Sequence, residues 1–278
     1  MRAFISADME GITGVAVLDD VSKGTADYED AVELMHGDVN AAIEGALEAG
    51  ADEVVVNDAH GSMANLRRAD VDGRADLVRG RLKPRAMMEG LDADHDVALL
   101  VGYHAMAGTA GGVLDHTVLG SDLLRLRVNG VEVGELGWNA RLAADLGVPV
   151  GLVTGDDRTV AEARDELGDV ETVAVKRGVG RFAAQCRPPE DTRTDIAEAA
   201  ARAVERAADG RLDLPAKVEP PVRMEADWST THHAREAARA PGIELVDDRT
   251  TAVSEPAYED AYEAAVSMIV IGSRASPE

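Results

Sequence analysis

Short apolar runs and longer stretches with apolar residues every three to four positions alternate along this chain. Arg2 to Ser6 reads as a strand. Tyr28 to Ala49 follows a helical period, with Ala31, Leu34, Met35, Val39, Ala42, Ile43 and Leu47 on one face and Gly50 where a helix cap belongs. Glu53 to Val56 and Val97 to Val101 end in or consist of apolar, largely β-branched residues, the pattern of central strands covered on both faces. Leu123 to Val133 alternates about Asn129-Gly130, a hairpin signal. The pattern then predicts a helix from Glu135 to Leu146, a strand from Val148 to Thr154, a helix from Thr159 to Leu167 and a strand from Glu171 to Lys176.

Beyond Arg187-Pro188-Pro189 an Ala-rich helix is expected from Thr192 to Ala208, and Pro215, Pro220 and Pro221 punctuate the entry to a last portion. That portion reads as strand Val222–Ala226, helix Thr230–Arg239, strand Ile243–Val246 and helix Ala257–Ile271. Alternating strands and helices predict an α/β fold with a mainly parallel sheet flanked by helices, and a smaller C-terminal α+β portion. The expected division is a catalytic α/β domain over residues 1–190 and a smaller C-terminal domain over 191–278.

With 278 residues, 45% of them hydrophobic, the chain can bury a large core. Its longest apolar runs are too short to span a bilayer, and its first residues show no signal-peptide pattern. The single cysteine, Cys186, allows no internal disulfide. These features predict a cytoplasmic protein without a membrane partner. Asp and Glu number 52 against 28 Lys and Arg, for a net charge of −24, and only four residues are Lys. The acids are spread through every segment. So much like charge is tolerated where salt screens it, which predicts a halophilic protein, and it makes nucleic acid a poor partner.

Chemistry collects after the predicted strands. Asp8 and Glu10 follow the first, Asp58-Ala59-His60-Gly61 the second, Gly102-Tyr103-His104 the third, and Glu135 opens the helix after the hairpin. Open α/β sheets bind ligands beyond the carboxyl ends of their strands. Two like charges at Asp8 and Glu10 repel, and a cation between them turns that cost to use. Mixed His and carboxylate donors suit Zn²⁺, with Mn²⁺ or Co²⁺ as alternatives, and five donors fit a two-metal site sharing a carboxylate. Each residue alone has an ordinary reading: a hydrogen-bonded histidine at a strand end, or a glutamate favouring a helix N-terminus. Their recurrence at one sheet edge favours the metal.

SADMEG, VNDAHG, GYHA, DHT and GELG, in this order, resemble the D-aminopeptidase family of dinuclear zinc metallopeptidases of dipeptide-transport operons. The similarity extends to TGDDR at 154–158 and AVKRG at 174–178. The resemblance implies two zinc ions per subunit: Asp8 bridging, Glu10 and His60 on one, His104 and Glu135 on the other, with His116 of Asp115-His116-Thr117 as the catalytic residue. The family's pattern around that histidine is Ser-His-Ser, from which this chain departs. The resemblance also implies a short peptide substrate, release of an N-terminal residue, and a ring-shaped homo-oligomer. The role of His116 stays open between nucleophile, general acid/base and oxyanion stabiliser. Two other functions compete: a dinuclear amidohydrolase acting on a non-peptide amide, and a transport-associated peptide-binding protein with structural zinc. The absence of Cys ligands disfavours the last.

The remaining candidates carry structural expectations. His36 and His95 read as structural or solvent-facing, His232-His233 as a surface pair, and Asp156-Asp157 as caps for the following helix. Asp58 is the expected hydrogen-bond acceptor for His60, and Cys186 reads as a half-buried thiol.

Overall fold

A computed structural model describes residues 1–275 of the chain. In chain order the elements are β1 (Arg2–Ala7), α1 (Leu18–Val21), α2 (Ala26–Glu48), β2 (Glu53–Asp58), β3 (Asp76–Val78), β4 (Val97–Val101), β5 (Leu123–Val128) and β6 (Val131–Val133). Then come α3 (Glu135–Asp145), β7 (Val150–Asp156), α4 (Asp157–Leu167), β8 (Glu171–Gly180), β9 (Ala183–Cys186) and α5 (Pro189–Ala208). The chain continues with β10 (Val222–Trp228), α6 (Thr231–Ala237), β11 (Glu244–Leu245), β12 (Thr250–Glu255) and α7 (Tyr258–Gly272).

Seven strands form one sheet in the order β3-β2-β1-β4-β7-β8-β9. All neighbours pair in parallel except β9, which closes the edge antiparallel to β8. The chain runs outward from β1 to β2 and β3, then crosses back to β4 on the other side of β1. The fork between β1 and β4 is therefore the switch point where open α/β sheets bind ligands. Strand periodicity divides the core. Ala3, Ile5 and Ala7 of β1 pack with Val54 and Val56 of β2 under α2 and α5, while Phe4 faces a second cluster containing α3, α7 and the other sheet.

The second sheet is antiparallel, in the order β11-β12-β10-β5-β6. It unites the C-terminal strands with the 123–133 hairpin: Leu126 of β5 stands opposite Ala226 of β10. The hairpin turns as its sequence predicts, with φ of 47° at Asn129 and 82° at Gly130, the two positive values a tight turn of this kind requires. β12 is absent from the expected strands, because its buried Thr250–Val253 run shows no alternation. α7 is seated by the stack of Trp138 on Tyr262, 4.0 Å between centroids. Behind it a satisfied polar chain runs to β1: Tyr262 Oη donates to Asn139, Asn139 Nδ2 to Tyr103 Oη, Tyr103 Oη to Ser6 Oγ, and Ser6 Oγ to the Met87 carbonyl. Such a network fixes one arrangement beneath the sheet edge.

Candidate metal centre

Asp8 stands one residue past β1, its N–H donating to the Val101 carbonyl of β4 at 2.8 Å. The Gly11 N–H likewise donates to the Gly102 carbonyl at 2.8 Å. Gly102 has φ of +73°, and a Cβ there would strike the Asp8 carbonyl, so only glycine lets the two loops approach this closely. His60 follows β2, His104 follows β4, and Glu135 is the first residue of α3. The predicted residues at four separate places in the sequence thus converge on one point.

Their atoms form two groups, Asp8–Glu10–His60 and His104–His116–Glu135, each with one donor atom per residue within 4.8 Å of the others. Asp8 lies between them. Its Oδ1 is 3.5 Å from His60 Nδ1 and its Oδ2 is 3.5 Å from His104 Nε2. Glu10 Oε2 is 3.0 Å from His60 Nδ1, and Glu135 Oε1 is 3.3 Å from His104 Nε2. All three carboxylates are buried.

The far nitrogens of the histidines fix their tautomers. His60 Nε2 donates to the Val21 carbonyl at 3.1 Å, and His104 Nδ1 to the Ala105 carbonyl at 3.1 Å. Metal-bound histidines are held in this way, with the inner nitrogen left as a donor of its lone pair. Asp8 Oδ2 and His104 Nε2 are buried without a hydrogen-bond partner. Lone pairs facing carboxylate oxygens inside a protein require a proton or a cation between them. The donor set and these two atoms fit a pair of divalent ions.

A profile of the D-aminopeptidase family, peptidase M55, matches residues 1–267. The chain belongs to this family. It is 35% identical over 280 residues to a D-aminopeptidase of Bacillus subtilis (strain 168), covering 99% of both chains. It superposes with a TM-score of 0.94 and 33% identity, over 100% of both chains, on the structure of the zinc-dependent D-aminopeptidase DppA of Bacillus subtilis, which is described as a self-compartmentalizing protease.

Crowding sets the electrostatics of this family member's site. Burial, then repulsion from Glu10, pushes Asp8 up to about 7. Burial works against ionisation of Glu10 too, but the charge and hydrogen bond of His60, together with His116 and His104, outweigh it and hold Glu10 well below the ordinary carboxylate range. Burial also opposes the charge on His60 and His104, yet Glu10 raises the first and Glu135 the second well above ordinary histidine values. Glu135 is lowered in turn, burial being overcome by His104. His116 is lowered, by burial and by the His104 charge beside it.

His116 Nδ1 donates to the Leu114 carbonyl at 2.9 Å, leaving Nε2 3.7 Å from Glu135 Oε1. It is flanked by two non-glycine residues in the left-handed region, Leu114 (φ 54°) and Val118 (φ 61°). Each such residue costs about 1–3 kcal/mol, and for a β-branched side chain the conformation is an outlier. The Val118 N–H is held at 2.6 Å by Glu135 Oε1. A cavity of about 620 Å³ opens onto Asp8, Glu10, His60, His116 and Glu135, with apolar walls from Met63, Leu119, Trp138, Val266, Ile269 and Val270.

Several supporting roles differ from expectation. Asp58 does not hold His60. Its carboxylate accepts from Asn65 N, Asn65 Nδ2 and Leu66 N, shaping the turn that carries His60. His233 is buried rather than on the surface, its Nδ1 3.0 Å from Thr230 Oγ1. Cys186 is exposed rather than half-buried, since it ends the edge strand β9. His36 and His95 are structural, accepting from the Arg67 N–H and facing Asp92 respectively. Asp156 caps α4 through the Arg158 and Thr159 N–H groups. Sequence reasoning gave no role to Lys176, a buried lysine of AVKRG whose ammonium donates to the Glu10 carbonyl.

Proposed function

We propose that the chain is a zinc-dependent D-aminopeptidase that releases the N-terminal residue of short peptides containing D-amino acids. The observation that carries this reading is the position of Asp8, one oxygen toward His60 and the other toward His104, between two donor groups. On it, Asp8, Glu10, His60, His104 and Glu135 would hold two zinc ions, Glu10 and His60 serving one, His104 and Glu135 the other, and Asp8 being shared. Family membership and the zinc-dependent relative support the same assignment.

Bound zinc would supply Lewis acidity and lower the pKa of water toward 7. The chain's own contribution is placement and proton transfer. His116, with Nδ1–H engaged by the Leu114 carbonyl, offers the Nε2 lone pair to take a proton from the attacking water and return it to the leaving amine. The apolar walls of the cavity receive the side chain and exclude water around the scissile amide.

The same reading includes a ring-like homo-oligomer, supported by the self-compartmentalizing relative, a cytoplasmic location, and a halophilic setting, the last supported by the charge of −24. Among the described residues no helix is long and apolar enough to cross a membrane. The test is zinc content per chain together with hydrolysis of matched D- and L-aminoacyl amides. About two zinc and turnover of the D-series are expected; no zinc, or turnover confined to the L-series, would end this reading.

A further inference from the structure

AVKRG stands far from the centre in sequence, and β8, which carries it, is separated from β1 in the sheet by β4 and β7. Yet Lys176 Nζ donates to three carbonyls of the loop that leaves β1: Glu10 at 2.5 Å, Ile12 at 2.8 Å and Val15 at 2.6 Å. An ammonium has three donors, so all are used. Lys176 is 1% exposed, and a buried charge is costly unless its hydrogen bonds are complete. The N–H groups of the same loop are held from elsewhere: Gly11 by Gly102 of the loop after β4, Thr13 by Asp38 of α2. Lys176 gathers the carbonyls as a metal ion would.

We propose that Lys176 is a positioning residue for Glu10, holding the β1 loop so that the Glu10 carboxylate meets the cation on the His60 side, while Asp8 is held separately by the Val101 carbonyl. The inference rests on the two-metal reading above. Glu10 links the two, since its carbonyl is on Lys176 and its carboxylate on His60. Rotation of that peptide would swing the carboxylate away. The second group is anchored independently, His104 on the Ala105 carbonyl and Glu135 on the Val118 N–H. Loss of Lys176 should therefore be felt on one side of the centre.

Lys176→Met keeps length and burial while removing the donors. Zinc titration against a competing chelator should find two tight sites in the wild type. The variant should keep one, with the other weakened about 10–100-fold, the usual effect of removing support behind a ligand. Two equally tight sites in the variant, or equal weakening of both, would overturn the proposal while leaving the two-zinc reading intact. A wild type that binds no zinc would end both. Amide hydrogen exchange of the metal-free wild type gives a check that needs no variant to fold. Gly11, Ile12, Thr13 and Val15 should stay protected without zinc. Exchange at open-chain rates until zinc is added would show that the metal, not Lys176, orders the loop, and would overturn the inference.

Discussion

The imidazoles of His104 and His116 stack with centroids 4.0 Å apart and planes inclined by 13°. Two cations so close repel, and the surroundings decide which ring carries charge. His104 Nε2 faces Glu135 at 3.3 Å, whereas His116 Nε2 is 3.7 Å from the same oxygen and is kept low by burial and by His104. The stack makes His116 the ring left with a free lone pair. Geometry alone also permits it to act as a third donor beside His104 and Glu135. His116→Ala separates these roles. As a proton-transfer residue its loss should lower kcat about 10²–10⁴-fold with both zinc ions retained. Elemental analysis beside steady-state kinetics reads this, and loss of one zinc would make His116 a ligand.

Asp8 faces a histidine of each group, so its removal should disturb both. Asp8→Ala leaves Glu10–His60 and His104–Glu135 as separate pairs with no shared oxygen between them. Zinc per chain is expected to fall from about two toward none, with activity lost in parallel. Glu135→Ala should spare the first group, because Glu10 and His60 touch each other and not Glu135. Metal analysis of the two variants side by side checks the asymmetry; equal stoichiometries would argue against a bridge at Asp8.

Asp8, Glu10, His60 and His104 were legible because strand ends are: apolar runs locate β1, β2 and β4, and the residues just past each run face the switch point, whereas His116 was named through the family resemblance alone. The groups that hold those residues were not legible. The acceptor for His60 is the Val21 carbonyl, a backbone atom that any residue there would supply. Lys176 reaches the β1 loop across 166 positions, a proximity that only the parallel strand order creates. In the fold, the Asn129-Gly130 turn was plain, but its sheet was not, since nothing local tells β5 that its partner is β10. β12 escaped because all four of its first residues are buried, which erases the alternation of a half-exposed strand. β9, four residues of small or polar type at an edge, offers no apolar run at all.

Asp38 should leave a signature in the pH dependence of stability. Its carboxylate is fully buried in α2, with Oδ2 accepting from the Thr13 N–H and Oδ1 making no hydrogen bond, its neighbour being Arg193 Nε at 3.9 Å. Burial raises it to about 6 from the ordinary aspartate value of 3.8. Below 3.8 it is protonated whether the chain is folded or not. Between 3.8 and about 6 the unfolded chain releases a proton that the folded one keeps, so this group's stabilising contribution is lost as pH rises through that window. Asp38→Asn keeps an acceptor for Thr13 and removes the titration. The stability of the variant relative to wild type should therefore increase from about pH 4 to about pH 7, by about 3 kcal/mol at roughly 1.36 kcal/mol per pKa unit. Denaturant unfolding at several pH values measures it, and a flat difference would place no buried titration at Asp38.

Salt should act on the whole molecule rather than on any one pair. Much of the positive charge is already engaged: Arg127 with Glu225 and Asp227, Arg206 with Asp169 and Glu171, Arg223 with Glu225 and Glu244. These exposed or half-exposed pairs contribute little each, about 0–1 kcal/mol, and salt weakens them. The excess of acids over bases, a net −24, works the other way, because salt screens repulsion among carboxylates that have no basic partner to face. The Debye length shrinks from about 10 Å at 0.1 M to about 3 Å at 1 M, enough to cut off repulsion between neighbouring acidic side chains. The net term should win. Tm is expected to rise between about 0.1 M and molar KCl, and most of the rise should come before the Debye length falls below ordinary side-chain spacings. Thermal scans across that range decide it: a Tm that stays level or falls with added KCl would mean the paired arginines, not the unpaired acids, dominate the surface.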